Sequence, residues 1–283
     1  MWFTQLILVA AVIFRLPFGE VFMIDFSILL HHLGLASVGI LIFMTLAFGV
    51  AQLRQRYDTA DIAWGLGFVV VACLSLLTGQ QSWRGLLTLA LVSIWGFRLA
   101  THIYLRHRNR PEDRRYQDMR AKWESNVALR AWLQIFLSQG VLLLLIAFPI
   151  VVINTSISSS ITIFDVLGVL VWTVGFVFES VGDAQLSSFT SNPANKGKLM
   201  TSGLWSYTRH PNYFGEITQW WGVWLLALSV PYGLLAIIGP LTITILITKV
   251  SGVPLLEKAY AGRPDWEAYK KRTSVLVPWR PAR

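Results

Sequence analysis

The sequence predicts an all-α protein: a polytopic membrane bundle of seven or eight transmembrane helices with a cofactor cavity facing the cytoplasm. Three observations predict it. Hydrophobic types make up 54% of the 283 residues, charged types only 14%, and mean hydropathy is +0.55, whereas a soluble domain carries about 25% charged residues. The apolar residues fall into runs of the roughly 20 positions a helix needs to cross a bilayer. The formal net charge of +9 is gathered on one side of those runs.

The first apolar run, near 2–18, is interrupted by Arg15 and Pro17 and has no basic stretch before it. It reads as a short membrane segment or an interfacial helix rather than a cleaved signal peptide. Clearer spans lie near 35–53, 60–78, 84–105, 131–153, 163–182, 213–230 and 233–250, with Gly, Pro or polar clusters between most of them. Threaded alternately, they put segments 54–59, 106–130, 183–212 and 251–283 on one side, and these hold 20 of the 24 Lys and Arg residues. The positive-inside rule makes that side, and the C-terminus, cytoplasmic, as in a bacterial inner-membrane protein. Topology therefore accounts for most of the basic charge, attraction to anionic membrane lipids or to a phosphate-bearing ligand for the remainder, and no nucleic-acid partner is expected. Cys73 is the one cysteine, which excludes a disulfide and a thiolate zinc site. His31 and His32 are adjacent and the other three histidines are scattered, so no metal is expected. Without repeats or heptads, residues 1–283 read as a single membrane domain.

A charged group inside a bilayer helix costs on the order of 3 kcal/mol, so each one needs a partner or a task. Glu179 and Asp183 stand four residues apart at the cytoplasmic end of one span and share a helical face. Asn212 and Glu216 repeat the spacing at the start of the next. The loop between them carries Lys196, Lys198, Arg209 and His210. Helix capping would explain either pair alone; convergence of both on one basic loop points to a polar ligand site. Asp61 follows Thr59 at a helix start, where capping is the simpler reading. Arg98 either pairs with a carboxylate or snorkels to the interface.

The string Gly203-Leu204-Trp205-Ser206-Tyr207-Thr208-Arg209-His210-Pro211-Asn212-Tyr213-Phe214-Gly215-Glu216 is the most informative. Pro211 suits the first turn of a helix, whose free amides and dipole favour an anion. Arg209 and His210 add donors, Tyr213 an aromatic face, and Gly215 permits close approach of backbone. The tail, from Glu257 through Tyr260 and Trp266 to Trp279, alternates acids, aromatics and bases. It reads either as an amphipathic helix on the membrane surface or as a cover over a cofactor, with Glu257 and Tyr260 turned inward.

Residues 203–216 and the tail from Glu257 to Trp279 resemble the C-terminal half of the membrane steroid 5α-reductase family, in a bacterial branch, and Arg209–Tyr213 resembles the related sterol reductases. Asp61-Ile62-Ala63-Trp64-Gly65, Arg108-Asn109-Arg110-Pro111 and Arg115-Tyr116 are further marks, so the reductase-like region is 58–283, preceded by N-terminal membrane segments over 1–57. The resemblance implies NADPH. Its family holds that cofactor with an Asn and an Asp four apart and an Asn and a Glu four apart; Glu179 and Asp183 match the first pair with Glu for Asn, and Asn212 and Glu216 match the second fully. Arg110 matches a basic cofactor contact, and Lys198, Tyr207, Arg209, His210, Tyr213, Glu257 and Tyr260 complete the implied cofactor set.

The same superfamily includes isoprenylcysteine carboxyl methyltransferases, which bind S-adenosylmethionine and commonly carry two adjacent Glu in the tail. Here Glu257 is followed by Lys258, which favours the nicotinamide cofactor. The substrate end matches less well. The family's carbonyl-polarising Glu and Tyr align with Asp58 or Asp61 and with Trp95, so the phenol is missing, and His102 and Tyr104 lie nearby. The expectation is hydride transfer to the conjugated C=C of a lipophilic, steroid- or isoprenoid-like substrate, with Asp61 or His102 as the catalytic acid.

Overall fold

The computed structural model describes residues 26–156 and 160–281, and they fold as the expected helical bundle. The span near 2–18 lies outside the described residues. Helix α1 runs Phe26–Arg54, α2 Thr59–Thr78, α3 Trp83–His107 and the short α4 Arg114–Ala121. Helix α5, Val127–Ile146, contains a π-helical turn at Trp132–Leu137; α6 is Phe148–Ile153, α7 Ile163–Ser191 and α8 Pro211–Ala227. The chain ends with α9 (238–250), α10 (Val253–Tyr260) and α11 (Pro264–Arg272).

Among the described residues, six stretches are long and apolar enough to cross a membrane: α1, α2, α3, α5, α7 and the run Leu235–Tyr260. Helix α8, with 17 residues, is at the lower limit for crossing a bilayer and packs along α7. The protein is an integral membrane protein by these criteria, and its outer surface agrees. Leu46, Leu53 and Leu170 are exposed, the last two at 88% and 57%, as lipid-facing side chains are and water-facing ones rarely.

Two expected elements are divided. The span expected over 131–153 breaks at Ala147, because Pro149 cannot donate its backbone amide to continue the ladder. The tail is two helices rather than one, since Gly262 takes a left-handed φ of 84° and Pro264 opens a new first turn.

Lipid offers no hydrophobic incentive for helices to associate, so close backbone contact must do the work. Helix α7 presents Gly168, Gly175 and Gly182 at intervals of one heptad, and α8 presents Gly215 and Gly222. A methyl at Gly175 would sit 2.6 Å from the Gly215 carbonyl oxygen, and one at Gly222 2.6 Å from the Trp172 amide. The seam admits only glycine. Its consequence is positional: the polar residues of α7 and α8 near its lower end are forced together. Gly65 and Gly96 join α2 to α3 in the same way, 2.8 Å separating a methyl at Gly65 from the Gly96 oxygen.

Candidate functional site

Four helices bring polar side chains to the end of the bundle where the basic segments lie. From α3 come Trp95, Arg98 and His102, spaced to share one face; from α7, Glu179 and Asp183; from α8, Asn212, Glu216 and Gln219; and Trp64 of α2 borders Glu216. Arg98 bridges both α7 acids, bonding Glu179 through one terminal nitrogen and Asp183 through the other at 3.0 Å. Its alternative of snorkelling to the interface is not taken. Glu179 also accepts from the Trp95 indole at 2.9 Å and from Gln219 at 2.5 Å. Asp183 accepts from Asn212 at 3.3 Å, with His102 at 4.0 Å.

The two predicted pairs therefore do converge, and into a cradle. Glu179 is saturated by three donors from two other helices, so its geometry is that of a hub. Glu216 makes no ion pair among the described residues. Arg98 occupies the space between Glu179 and Asp183, so an entering ligand meets a guanidinium already bound to both. Beneath lies a fully packed aromatic floor: Phe68 sits 4.5 Å from Trp220 and 5.4 Å from Trp95, ring centre to ring centre.

A second cluster closes the tail over the string at 203–216. Arg209 is buried and gives two bonds to Glu257 Oε1 (2.9 and 2.7 Å) and one to the Thr273 carbonyl (2.6 Å). Instead of supplying free donors to an anion at the α8 N-terminus, Arg209 clasps the tail. His210 is fully buried, stacked on Tyr213 at 5.3 Å, with Glu257 at 3.5 Å. Burial pushes its imidazole down to about 4, against the opposing pull of Glu257. Glu257 does face inward; Tyr260 stacks on Trp266 at 5.2 Å. The Tyr269 hydroxyl donates to the Trp205 carbonyl, and Thr208 pairs with Ser274 across the two segments.

The remaining predicted residues stand apart. Asp61 does not cap α2: its carboxylate accepts from the Tyr116 hydroxyl at 2.5 Å and from Arg115 at 2.9 Å, tying α2 to α4. Local capping fails because the α4 loop is anchored over that helix end by Arg56, Asp58 and Asp113. Arg110 and Lys198 are exposed, and their side chains make no hydrogen bond or ion pair with these networks. Tyr207 is half exposed and, with Pro278, Trp279 and Arg280, lines a surface hollow of about 480 Å³ outside the cradle. Gly215 serves the seam with α7 rather than a ligand.

Sequence reasoning missed Trp95 as a donor and Gln219, and left the pairing of Arg98 open as one of two readings. The heptad of glycines in α7 was the available signal, since it marks which face of α7 meets α8 and hence what Glu179 must face.

Fold and site together define a polytopic helical membrane protein with a mixed acid, amide and arginine cradle at its basic end. The chain belongs to the family described as "Protein of unknown function (DUF1295)", which matches residues 47–273 and so takes in both clusters. Over 46 residues it is 48% identical to "Probable O-methyltransferase ustE" of Ustilaginoidea virens, a stretch that is 16% of this chain and 16% of that protein. No solved structure matches the chain.

Proposed function

We propose that the protein is an NADPH-dependent membrane reductase acting on a conjugated C=C of a lipophilic substrate, steroid- or isoprenoid-like. The observation that carries this reading is the convergence of Asp183, Asn212 and Glu216 across the glycine seam, with Asn212 3.3 Å from Asp183. Two unfilled valences support it: Gln219 Oε1 is a buried acceptor and Arg98 Nε a buried donor, neither with a partner. A primary carboxamide such as that of nicotinamide offers the complementary donor and acceptor. Exposed Arg110 and Lys198 suit the phosphates, at an end we take as cytoplasmic. The bound nucleotide supplies a hydride to the β-carbon while the α-carbon gains a proton; the residues of the chain orient and exclude water. Asp61 and His102 remain the candidates for the proton donor, His102 being the nearer to the cradle through Asp183.

A second reading, an S-adenosylmethionine-dependent methyltransferase of a lipid or isoprenyl substrate, is favoured by the 46-residue likeness to a protein named as an O-methyltransferase. Calorimetric titration of the purified protein in nanodiscs separates the two. Binding of NADPH without S-adenosylmethionine is expected; the reverse would replace the first reading with the second.

A further inference from the structure

The stretch after α11 carries an apolar edge that neither cluster uses. Its exposed positions alternate: Val275, Val277 and Trp279 face outward, Trp279 at 74%, while Leu276 between them packs against the core. A segment bordering water would put polar side chains at those outward positions, yet all three are apolar. The edge is also firmly placed. The Trp279 amide donates to the Tyr207 carbonyl at 3.0 Å, the Ser274 hydroxyl to the same carbonyl at 2.9 Å, and the Thr208 hydroxyl to the Val275 carbonyl at 3.2 Å. These bonds hold Pro278, Trp279 and Arg280 beside Tyr207 around the hollow of about 480 Å³. The hydroxyl of Tyr207, the indole N–H of Trp279 and the guanidinium of Arg280 make no hydrogen bond or ion pair among the described residues.

Two further observations say what fills the hollow. The first is position. Tyr207 stands four residues before Pro211, the first residue of α8, so the hollow lies within about 14 Å of that helix start, at the end where the lipid-facing helices leave the bilayer. The second is charge. Each acid of the tail is paired: Glu257 with Arg209, Asp265 with Arg263, and Glu267 with Lys270. Lys271, Arg272 and Arg280 have no such partner among the described residues. An apolar, aromatic edge beside uncommitted positive charge complements the boundary of an anionic leaflet, where Trp and Tyr rings lodge and arginine meets phosphate.

We infer that the hollow seats the phosphate headgroup of an anionic membrane phospholipid. Arg280, the Tyr207 hydroxyl and the Trp279 indole are its donors, and Val275 and Val277 rest against the apolar part of the same lipid layer. The site stands apart from the cradle and does not depend on which cofactor the cradle takes.

The test uses the full-length protein in maltoside micelles with Cys73→Ala and Val277→Cys, the new thiol carrying a polarity-sensitive fluorophore. Four probes are titrated separately: short-chain phosphatidylglycerol, short-chain phosphatidylcholine, inorganic phosphate and ADP. Phosphatidylglycerol is expected to give a saturable blue shift, half complete at a concentration about fivefold below that for phosphatidylcholine, the factor one arginine contributes near an anionic surface. Adding Arg280→Gln should erase that difference. Arg280→Lys, which keeps the charge, should retain at least half of it and so separates loss of charge from misfolding. Equal response to the two lipids, no saturable response, or a preference indifferent to Arg280→Gln would overturn the proposal. Saturation by inorganic phosphate or ADP at or below the phosphatidylglycerol concentration would overturn it too, in favour of a site for a soluble anion.

Discussion

Helices α3 and α7 are tied twice, and the two ties differ in kind. At one end Arg84 grips Asp165 through both carboxylate oxygens, at 2.6 and 2.8 Å, with Arg84 wholly buried. Asp165 also closes a capping box with Thr162 and accepts from Ser229 at 3.1 Å. At the other end, Arg98 and Glu179 lie fourteen residues further along their respective helices, about 21 Å of rise. There one arginine serves two acids, keeps a fifth of its side chain exposed, and leaves its Nε unpartnered. Arg84 likewise leaves its Nη1 without a partner; what separates the ties is access, one being a joint closed to solvent and the other partly open, as a ligand site must be.

Breaking the closed joint should have the largest effect. Arg84→Ala strands a buried carboxylate and is expected to lower stability by about 3–5 kcal/mol, read from the midpoint of denaturant unfolding in detergent. A loss below about 1 kcal/mol would erase the distinction between the ties. Arg98→Ala should cost less, about 2 kcal/mol by the same measurement, because Glu179 keeps Trp95 and Gln219 and Asp183 keeps Asn212. A penalty equal to that of Arg84→Ala would mean the cradle is a structural joint too. The smallest changes sharpen the contrast most. Ser229→Ala is expected to remove about 1 kcal/mol of stability and leave cofactor affinity intact. Asn212→Ala should scarcely move the unfolding midpoint yet weaken cofactor binding several-fold, as measured by calorimetry.

The membrane spans were legible in the sequence because a bilayer imposes length and apolarity on every crossing helix. The α7 and α8 pairs were legible for a related reason: Glu179 and Asp183, or Asn212 and Glu216, are local spacings on one helix. What joins helices was harder to see. Arg98 meets Glu179 across 81 positions of chain, and only the relative register of α3 and α7 reveals it. The role of Arg209 was hidden similarly, since its partners Glu257 and Thr273 come from a tail that turns back at Gly262. Asp61 misled because a carboxylate in a first turn commonly caps, and here the α4 loop supplies stronger donors.

The glycine seam between α7 and α8 works as a gauge block. With hydrogen atoms on both faces, its spacing is fixed by main-chain atoms, and no exchange of side chains can widen or narrow it without prising the helices apart. Descendants of this fold that adopt a new ligand are therefore confined to redecorating the α3 wall and the rim, while the distance between the α7 acids and the α8 amide is inherited unchanged.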